Sequence, residues 1–382
     1  MKISWISIWP PRITAISEYS ESIVSKLKSE HHVNVISHID AGRPGETHLS
    51  PIINLEKSDW PQTVFDSIEK YKPNLVVLNH DFTSFGYRKL ATSFSQNPED
   101  GFGFLELLFR LKNSNIPRIV IYHDLMEPLS DAQKTFYDIS TKLSTASGVF
   151  GLKNKNLFIN MFHVLAGKVF DVPIITESYH QYSKEHLREK WNIGKDKIVF
   201  GMVGFLENYK NFEYIIDVFN RFEKRDDAEL IIAGIGLPGH DESLRYEKQI
   251  LEKIKTSKIT NKIKLINRFL ENTELNEVIQ SLDALILPYS RCSQSIIMGK
   301  AISFGIPIIS SACSNLADVL RKTKSGLYID INNKTKTYDV FNRILKNPNI
   351  LNRLSINSLK YYQNNNIEKT IDLYSRFFKN IC

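Results

Sequence analysis

A lysine that follows a glycine turn is the first residue in this chain whose type and spacing suggest chemistry. Lys210 closes the stretch Gly201-Met-Val-Gly-Phe-Leu-Glu-Asn-Tyr-Lys210, at the end of an apolar run over 198–203. Gly204 lets backbone come close to a ligand, and an ammonium near the next helix start suits a phosphate. A second stretch, 288–310, reads as strand end, loop, helix, turn and strand. Ser293 and Ser295 are helix-capping types. Ile297, Ala301 and Phe304 recur at i, i+4 and i+7, one face of a helix. Gly305 and Pro307 then stop it. The free N–H groups and dipole at such a helix start favour an anion. Read alone, each stretch is equally an ordinary strand-loop-helix crossover.

Other polar residues gather where strands end. His123-Asp124 follows the run 118–122 and offers a histidine to orient a sugar hydroxyl or shuttle a proton. An ordinary loop histidine is the competing reading. His80-Asp81 is a weaker parallel. Gly234-Ile-Gly236 follows another strand, but the next glycine is Gly239, which is not the dinucleotide fingerprint. No carboxylate or histidine cluster has metal-ligand spacing, so no metal is expected. Neither G-x-S-x-G nor a Cys–His arrangement marks a covalent nucleophile. Cys292, Cys313 and Cys382 lack paired spacing, which suits a reducing cytoplasm.

The elements that must position these residues alternate. Strands are predicted at 3–8, 33–37, 74–78 and 118–122, with helices opening at Glu18 and running through Leu105, Leu108 and Leu111. Residues 131–190 read as helical or ambiguous. A turn-rich charged stretch, 191–197, suggests a boundary between domains over 1–190 and 195–365. A second βα series follows, with strands at 198–203, 229–233, 263–266, 284–287, 307–310 and 326–329. Helices are expected over 211–222, 243–254, 274–281, 316–320, 339–345 and 351–362. Residues 366–382 form a terminal amphipathic helix expected to pack back on the first domain. The pattern is that of two doubly wound α/β domains, with ligands at the strand C-terminal ends and in a cleft between the domains.

Composition agrees with a globular chain of 382 residues, 42% hydrophobic and 24% charged. No apolar run reaches the ~18–20 residues of a membrane-spanning helix, and the N-terminus lacks a signal-peptide pattern. Net charge is +7. Residues 1–175 balance 18 basic against 18 acidic residues, so the excess lies in the second half, at 31 against 24. That excess fits an anionic ligand there or a merely basic surface. Basic residues do not cluster with aromatics, so a nucleic-acid partner is not expected.

Taken in order, these segments resemble the family 4 retaining glycosyltransferases of the GT-B fold, built from two facing Rossmann-like domains. Residues 10–20, Pro-Pro-Arg-Ile-Thr-Ala-Ile-Ser-Glu-Tyr-Ser, look like the family's first loop. Residues 116–124, 201–210, 230–236, 281–289 and 294–307 look like five further family segments, in the family's order. The resemblance spans nearly the whole chain. It departs at two places where the family has glutamates, here Cys292 and Lys300. A lysine cannot accept the ribose hydrogen bonds that the second glutamate takes. Phe205 replaces a common arginine, Ala15 a glycine, and Ile296 the glycine of a Gln-Ser-Gly variant.

The resemblance implies a metal-independent retaining transferase that uses a nucleotide-diphospho-sugar donor and needs no cofactor. Lys210 and the helix start at Ser295, Ile296 and Ile297 would steady the leaving diphosphate, with Gly204 and Lys300 also on the donor side. His123 would contact the sugar or the reacting hydroxyl. Thr14, Ala15 and Glu18 would face the acceptor, which is a glycan, a lipid-linked sugar or a protein. A cytoplasmic setting is expected, with contact to the inner membrane face or a partner protein left open. The rival expectation is a catalytically inactive GT-B homologue serving as a subunit or glycan-binding partner. An epimerase or phosphorylase lacks support, since no lysine motif for a pyridoxal cofactor is evident.

Overall fold

A computed structural model of the chain describes residues 1–12, 14–82, 84–85, 102–125 and 128–382. Ile13 of the first loop therefore lies outside the described residues. Met1–Pro173 together with Ile367–Cys382 makes one compact unit, and Ile174–Asn366 makes another.

The first unit is built on seven parallel strands: β1 (Lys2–Ile6), β2 (His32–His38), β3 (Leu49–Ile53), β4 (Leu75–His80), β5 (Arg118–Tyr122), β6 (Ala146–Phe150) and β7 (Val169–Val172). Their order is β3-β2-β1-β4-β5-β6-β7. β4 and β5 are buried at every residue, as parallel strands covered on both faces must be. Val64 and Ile68 from the Trp60–Tyr71 helix and Leu107, Leu108 and Leu111 from the Phe102–Asn113 helix close over Val76, Leu78 and Val120. β1 pairs with β2 on one side and β4 on the other. The strand order reverses there, which opens a crevice at the carboxyl ends of β1 and β4.

The helix expected to open at Glu18 begins three residues earlier, at Ala15–Leu27. Thr14 Oγ1 accepts the Ser17 amide at 3.0 Å and Ser17 Oγ accepts the Thr14 amide at 3.2 Å, a reciprocal cap. β6 and β7 lie in the stretch read as helical or ambiguous. β6, Ala-Ser-Gly-Val-Phe, is short and carries Ser and Gly, so its pattern is weak in sequence. It is nonetheless buried throughout.

The last helix, Ile367–Ile381, groups with this unit. Tyr374 is buried, and its hydroxyl is hydrogen-bonded to that of Tyr19. Its ring lies 5.0 Å from Phe170 and 6.5 Å from Trp5. His31 Nε2 meets Ser375 Oγ at 3.1 Å.

The second unit carries six parallel strands: β8 (Ile198–Val203), β9 (Ala228–Ala233), β10 (Ile263–Ile266), β11 (Ala284–Leu287), β12 (Ile308–Ser311) and β13 (Gly326–Ile329). The order is β10-β9-β8-β11-β12-β13. β8 pairs with β9 and β11, so the reversal falls between β8 and β11. This unit begins at Ile174, ahead of the boundary expected near 191–197. The Lys184–Lys190 helix is held to it by ions: Arg188 reaches Asp283 at 2.5 Å and Lys190 reaches Glu277 at 2.7 Å. A turn-rich, charged stretch therefore sits inside a unit, because long-range ion pairs tie down the helix before it and the sheet holds β8 after it. Among the described residues no helix is long and apolar enough to cross a membrane.

Candidate functional site

In the second unit the reversal point joins the two stretches that the sequence singled out. The Asn208–Lys210 turn follows β8, and Asn211 adopts a left-handed backbone with φ of 52°. Asn tolerates that region better than most residues. Its side chain donates to Pro288 O at 2.7 Å, and the Ser290 amide donates to Tyr209 O at 2.8 Å. The Lys210 turn and the loop after β11 are thus hydrogen-bonded into one rim. The residue that makes this join, Asn211, carried no signal in sequence beyond its type.

Lys210 is buried, and Nζ donates to Phe205 O at 2.9 Å. Rings of Tyr209 and Tyr289 each lie 5.8 Å from the ammonium. A methyl group added at Gly204 would come 3.2 Å from Nζ, so the glycine leaves the ammonium directly against the backbone. Burial pushes the Lys210 pKa down to about 8, opposed by Glu207 and Cys292. The site therefore holds a poorly hydrated cation that is still protonated at neutral pH, and an arriving anion would hold the proton more firmly.

Gly234 has φ of 146°, and a methyl there would fall 2.1 Å from Gly204 O. The two glycine turns after β8 and β9 touch, so Gly234 is needed for packing, and its spacing to Gly236 carries no dinucleotide motif. Ser243 completes this contact by accepting from the Leu237 amide at 2.7 Å and donating to Leu206 O at 2.9 Å.

Ser295 caps the Ile296–Ser303 helix, its hydroxyl accepting the Met298 amide at 3.2 Å. Ile296 and Ile297 supply first-turn amides, which have no intrahelical acceptor. Gly305, with φ of 71°, ends the helix as its sequence suggested. Residues 174–179 cross this helix closely: a methyl at Gly299 would lie 2.0 Å from Ile175 O. Lys300, one position on, is buried with its ammonium 4.7 Å over the Tyr179 ring. Cys292 is also buried and donates to Gln294 O at 2.8 Å, and burial, with Cys313 nearby, pushes its thiol pKa up. Neither side chain offers a carboxylate. Phe205 stacks against Phe269.

Gly204, Lys210, Ser295, Ile296, Ile297 and Lys300 all belong to the second unit. Thr14, Ala15, Glu18 and His123 belong to the first. Ala15 is exposed and helical, so the family glycine it replaces is not required by its backbone. Glu18 sits in the first helical turn, where a carboxylate suits the dipole. His123 is buried beyond β5, between Tyr19 and Phe150 with ring centroids 5.0 Å from each. Its Nε2 lies 3.0 Å from Asn79 Oδ1. Burial lowers its pKa to about 3, so the ring is neutral and unsuited to proton donation near pH 7. Asp124, its sequence neighbour, accepts the Phe82 amide at 2.9 Å and so ties the end of β5 to that of β4. Among the described residues no group of three or more His, Cys, Asp or Glu could hold a metal ion.

Known proteins share this architecture. Residues 183–361 match the family model described as glycosyl transferases group 1. A sucrose-phosphate synthase from Thermosynechococcus elongatus superposes with a TM-score of 0.80 at 14% identity, covering 99% of this chain and 98% of that one. HepE of Anabaena, solved with UDP-glucose, gives 0.76 at 12% identity over 100% of both chains. An uncharacterized glycosyltransferase of Methanocaldococcus jannaschii is 22% identical over 147 residues, 38% of this chain and 35% of the relative's length. The chain has the GT-B fold of these glycosyltransferases. The match to the group 1 glycosyl transferases lies within its second unit.

Proposed function

We propose that the chain is a retaining, metal-independent glycosyltransferase that moves a sugar from a nucleotide-diphospho-sugar to a glycan, lipid-linked or protein acceptor. The observation that carries this reading is the buried Lys210 ammonium against Gly204, on a rim shared with the helix start at Ser295. When the bond from the anomeric carbon to the diphosphate breaks, the electron pair leaves with the phosphate oxygen. The added charge would be met by Lys210 and the amides of Ile296 and Ile297, all fixed before reaction. The solved complexes of HepE with UDP and UDP-glucose support a nucleotide-sugar donor. His123, neutral and held by Asn79, would hydrogen-bond the sugar without donating a proton to it. Thr14 and Glu18 lie on the acceptor side in this reading.

The test is a titration of UDP, GDP and their sugars into the intact chain, beside a transfer or hydrolysis assay. Wild type is expected to bind one nucleotide series. Lys210→Ala is expected to lose about 10²–10³-fold in transfer while keeping its fold. Full activity in that variant would remove Lys210 from the mechanism.

The second reading, an inactive GT-B homologue acting as a subunit or glycan-binding partner, is favoured by Lys300. A buried ammonium over Tyr179 stands where a hydroxyl acceptor is expected. Failure to bind any nucleotide would select this reading.

A further inference from the structure

We propose that Arg291 is a second cation for the diphosphate of the donor, standing beside Lys210 at the Tyr209 ring. The proposal rests on the transfer reading above and adds a diphosphate-binding residue that this reading does not use.

Arg291 lies in the loop 288–295, between β11 and the Ile296–Ser303 helix. The loop is pinned on both sides of it. Before it, Asn211 Nδ2 donates to Pro288 O at 2.7 Å, and the Ser290 amide and hydroxyl both donate to Tyr209 O, at 2.8 and 3.2 Å. After it, Cys292 Sγ donates to Gln294 O at 2.8 Å, and Asn315 Nδ2 donates to Ser293 O at 2.9 Å. A charged side chain on backbone held this way has less freedom to lose when it meets a ligand.

The guanidinium carbon lies 5.9 Å from the centroid of the Tyr209 ring, and the Lys210 ammonium lies 5.8 Å from the same centroid. The two charges are therefore no further apart than these distances laid end to end. An aromatic ring takes the face of a guanidinium and leaves its N–H edge for a partner. Arg291 is exposed, and among the described residues it has neither an ion pair nor a hydrogen bond. An unpaired surface arginine means little by itself. This one stands beside a buried ammonium, on a loop tied to the turn that carries that ammonium.

Charge and shape select the ligand. The loop 288–295 has no carboxylate, and the facing turn 204–211 has one, Glu207, against Lys210 and Arg291. Two cations at one rim repel each other, and an anion between them replaces that repulsion with attraction on both sides. A diphosphate carries charge on two phosphates, one for each cation, whereas a monophosphate offers a single centre. The planar fork of Arg291 matches two oxygens of one phosphate, and the compact ammonium of Lys210 acts as a point charge on the other.

The test is calorimetry on the intact chain with the mono- and diphosphates of uridine and guanosine, UDP-glucose, UDP-glucuronate and inorganic pyrophosphate. Arg291→Gln is expected to weaken nucleoside diphosphates and pyrophosphate about tenfold, and monophosphates by less than about twofold. Its melting temperature should match wild type, since the side chain is exposed. Arg291→Lys keeps the charge without the fork and should recover only part of the loss. Wild-type diphosphate affinity in Arg291→Gln overturns the proposal. An equal loss for mono- and diphosphates also overturns it, because a general surface charge would do that. A loss for UDP-glucuronate alone does so too, by placing the guanidinium on the sugar. Pyrophosphate binding that depends on Arg291, without any nucleotide binding, keeps the residue's role and defeats the transfer reading. Diphosphate binding indifferent to Arg291 does the reverse, and a wild type that binds none of these ligands defeats both.

Discussion

Lys210 combines two demands that oppose each other. Its pKa of about 8 lies below the ordinary lysine value, so its charge costs the fold stability at neutral pH. That cost is lifted as pH rises from about 8 toward the unfolded value near 10.5. A bound diphosphate reverses the shift, so binding takes up a proton above pH 8. UDP affinity is expected to fall about tenfold between pH 7 and pH 9, where the phosphate itself no longer titrates. Calorimetry at the two pH values checks this, and Lys210→Met should bind weakly with no such dependence. The same variant should raise the melting temperature of the second unit at pH 7, a gain in stability bought by lost function. His123 is expected to show no imidazole titration between pH 5 and 8 by NMR, since burial holds its pKa near 3. A midpoint near 6.5 would contradict its packing between Tyr19 and Phe150.

At the scale of elements, the Ile296–Ser303 helix is aimed by what crosses it. Gly299 admits Ile175 O at a distance no methyl can share. Gly299→Ala is therefore expected to cost about 1–3 kcal/mol in denaturant unfolding, because backbone rather than a flexible side chain must yield. Gly167→Ala, with open space around it and no left-handed backbone, should be close to neutral. Ser295→Ala removes the cap and is expected to cost about 1 kcal/mol. It should also weaken UDP binding, as the first-turn amides lose their fixed direction. A cost in stability with UDP affinity unchanged would separate this helix from donor binding.

Across the whole molecule, each unit has its own sheet and core, and the chain returns to the first unit through Ile367–Cys382. Removing that helix takes Tyr374 from Tyr19, Trp5 and Phe170. The first unit should then melt earlier, whereas saturating UDP should raise only the transition of the second unit. At a hundredfold excess over Kd that protection is about 2.7 kcal/mol. Calorimetric scanning of wild type and the shortened chain, with and without UDP, reads both effects. Protection confined to the first unit would contradict a donor site built on Lys210.

Much of this was legible from local pattern. The βα alternation, the glycine turn before Lys210, the cap at Ser295 and the stop at Gly305 follow from residue type and spacing, because each depends on neighbours within one or two turns. What spacing could not supply came from contacts distant in sequence. The start of the second unit at Ile174 rests on the Glu177 amide donating to Ser303 Oγ and the Tyr182 amide to Gln280 Oε1, with Arg188 and Lys190 meeting Asp283 and Glu277 further on. β6 forms because flanking strands bury a segment of weak propensity. The role of Gly234 is decided by Gly204, thirty residues earlier in the chain. Burial by the whole fold makes His123 neutral and Lys210 a poorly hydrated cation, although nothing in either residue's neighbours encodes those states. Residue type determined which groups this protein can present, and tertiary packing decided their charge and company, since desolvation and contact belong to the assembled structure.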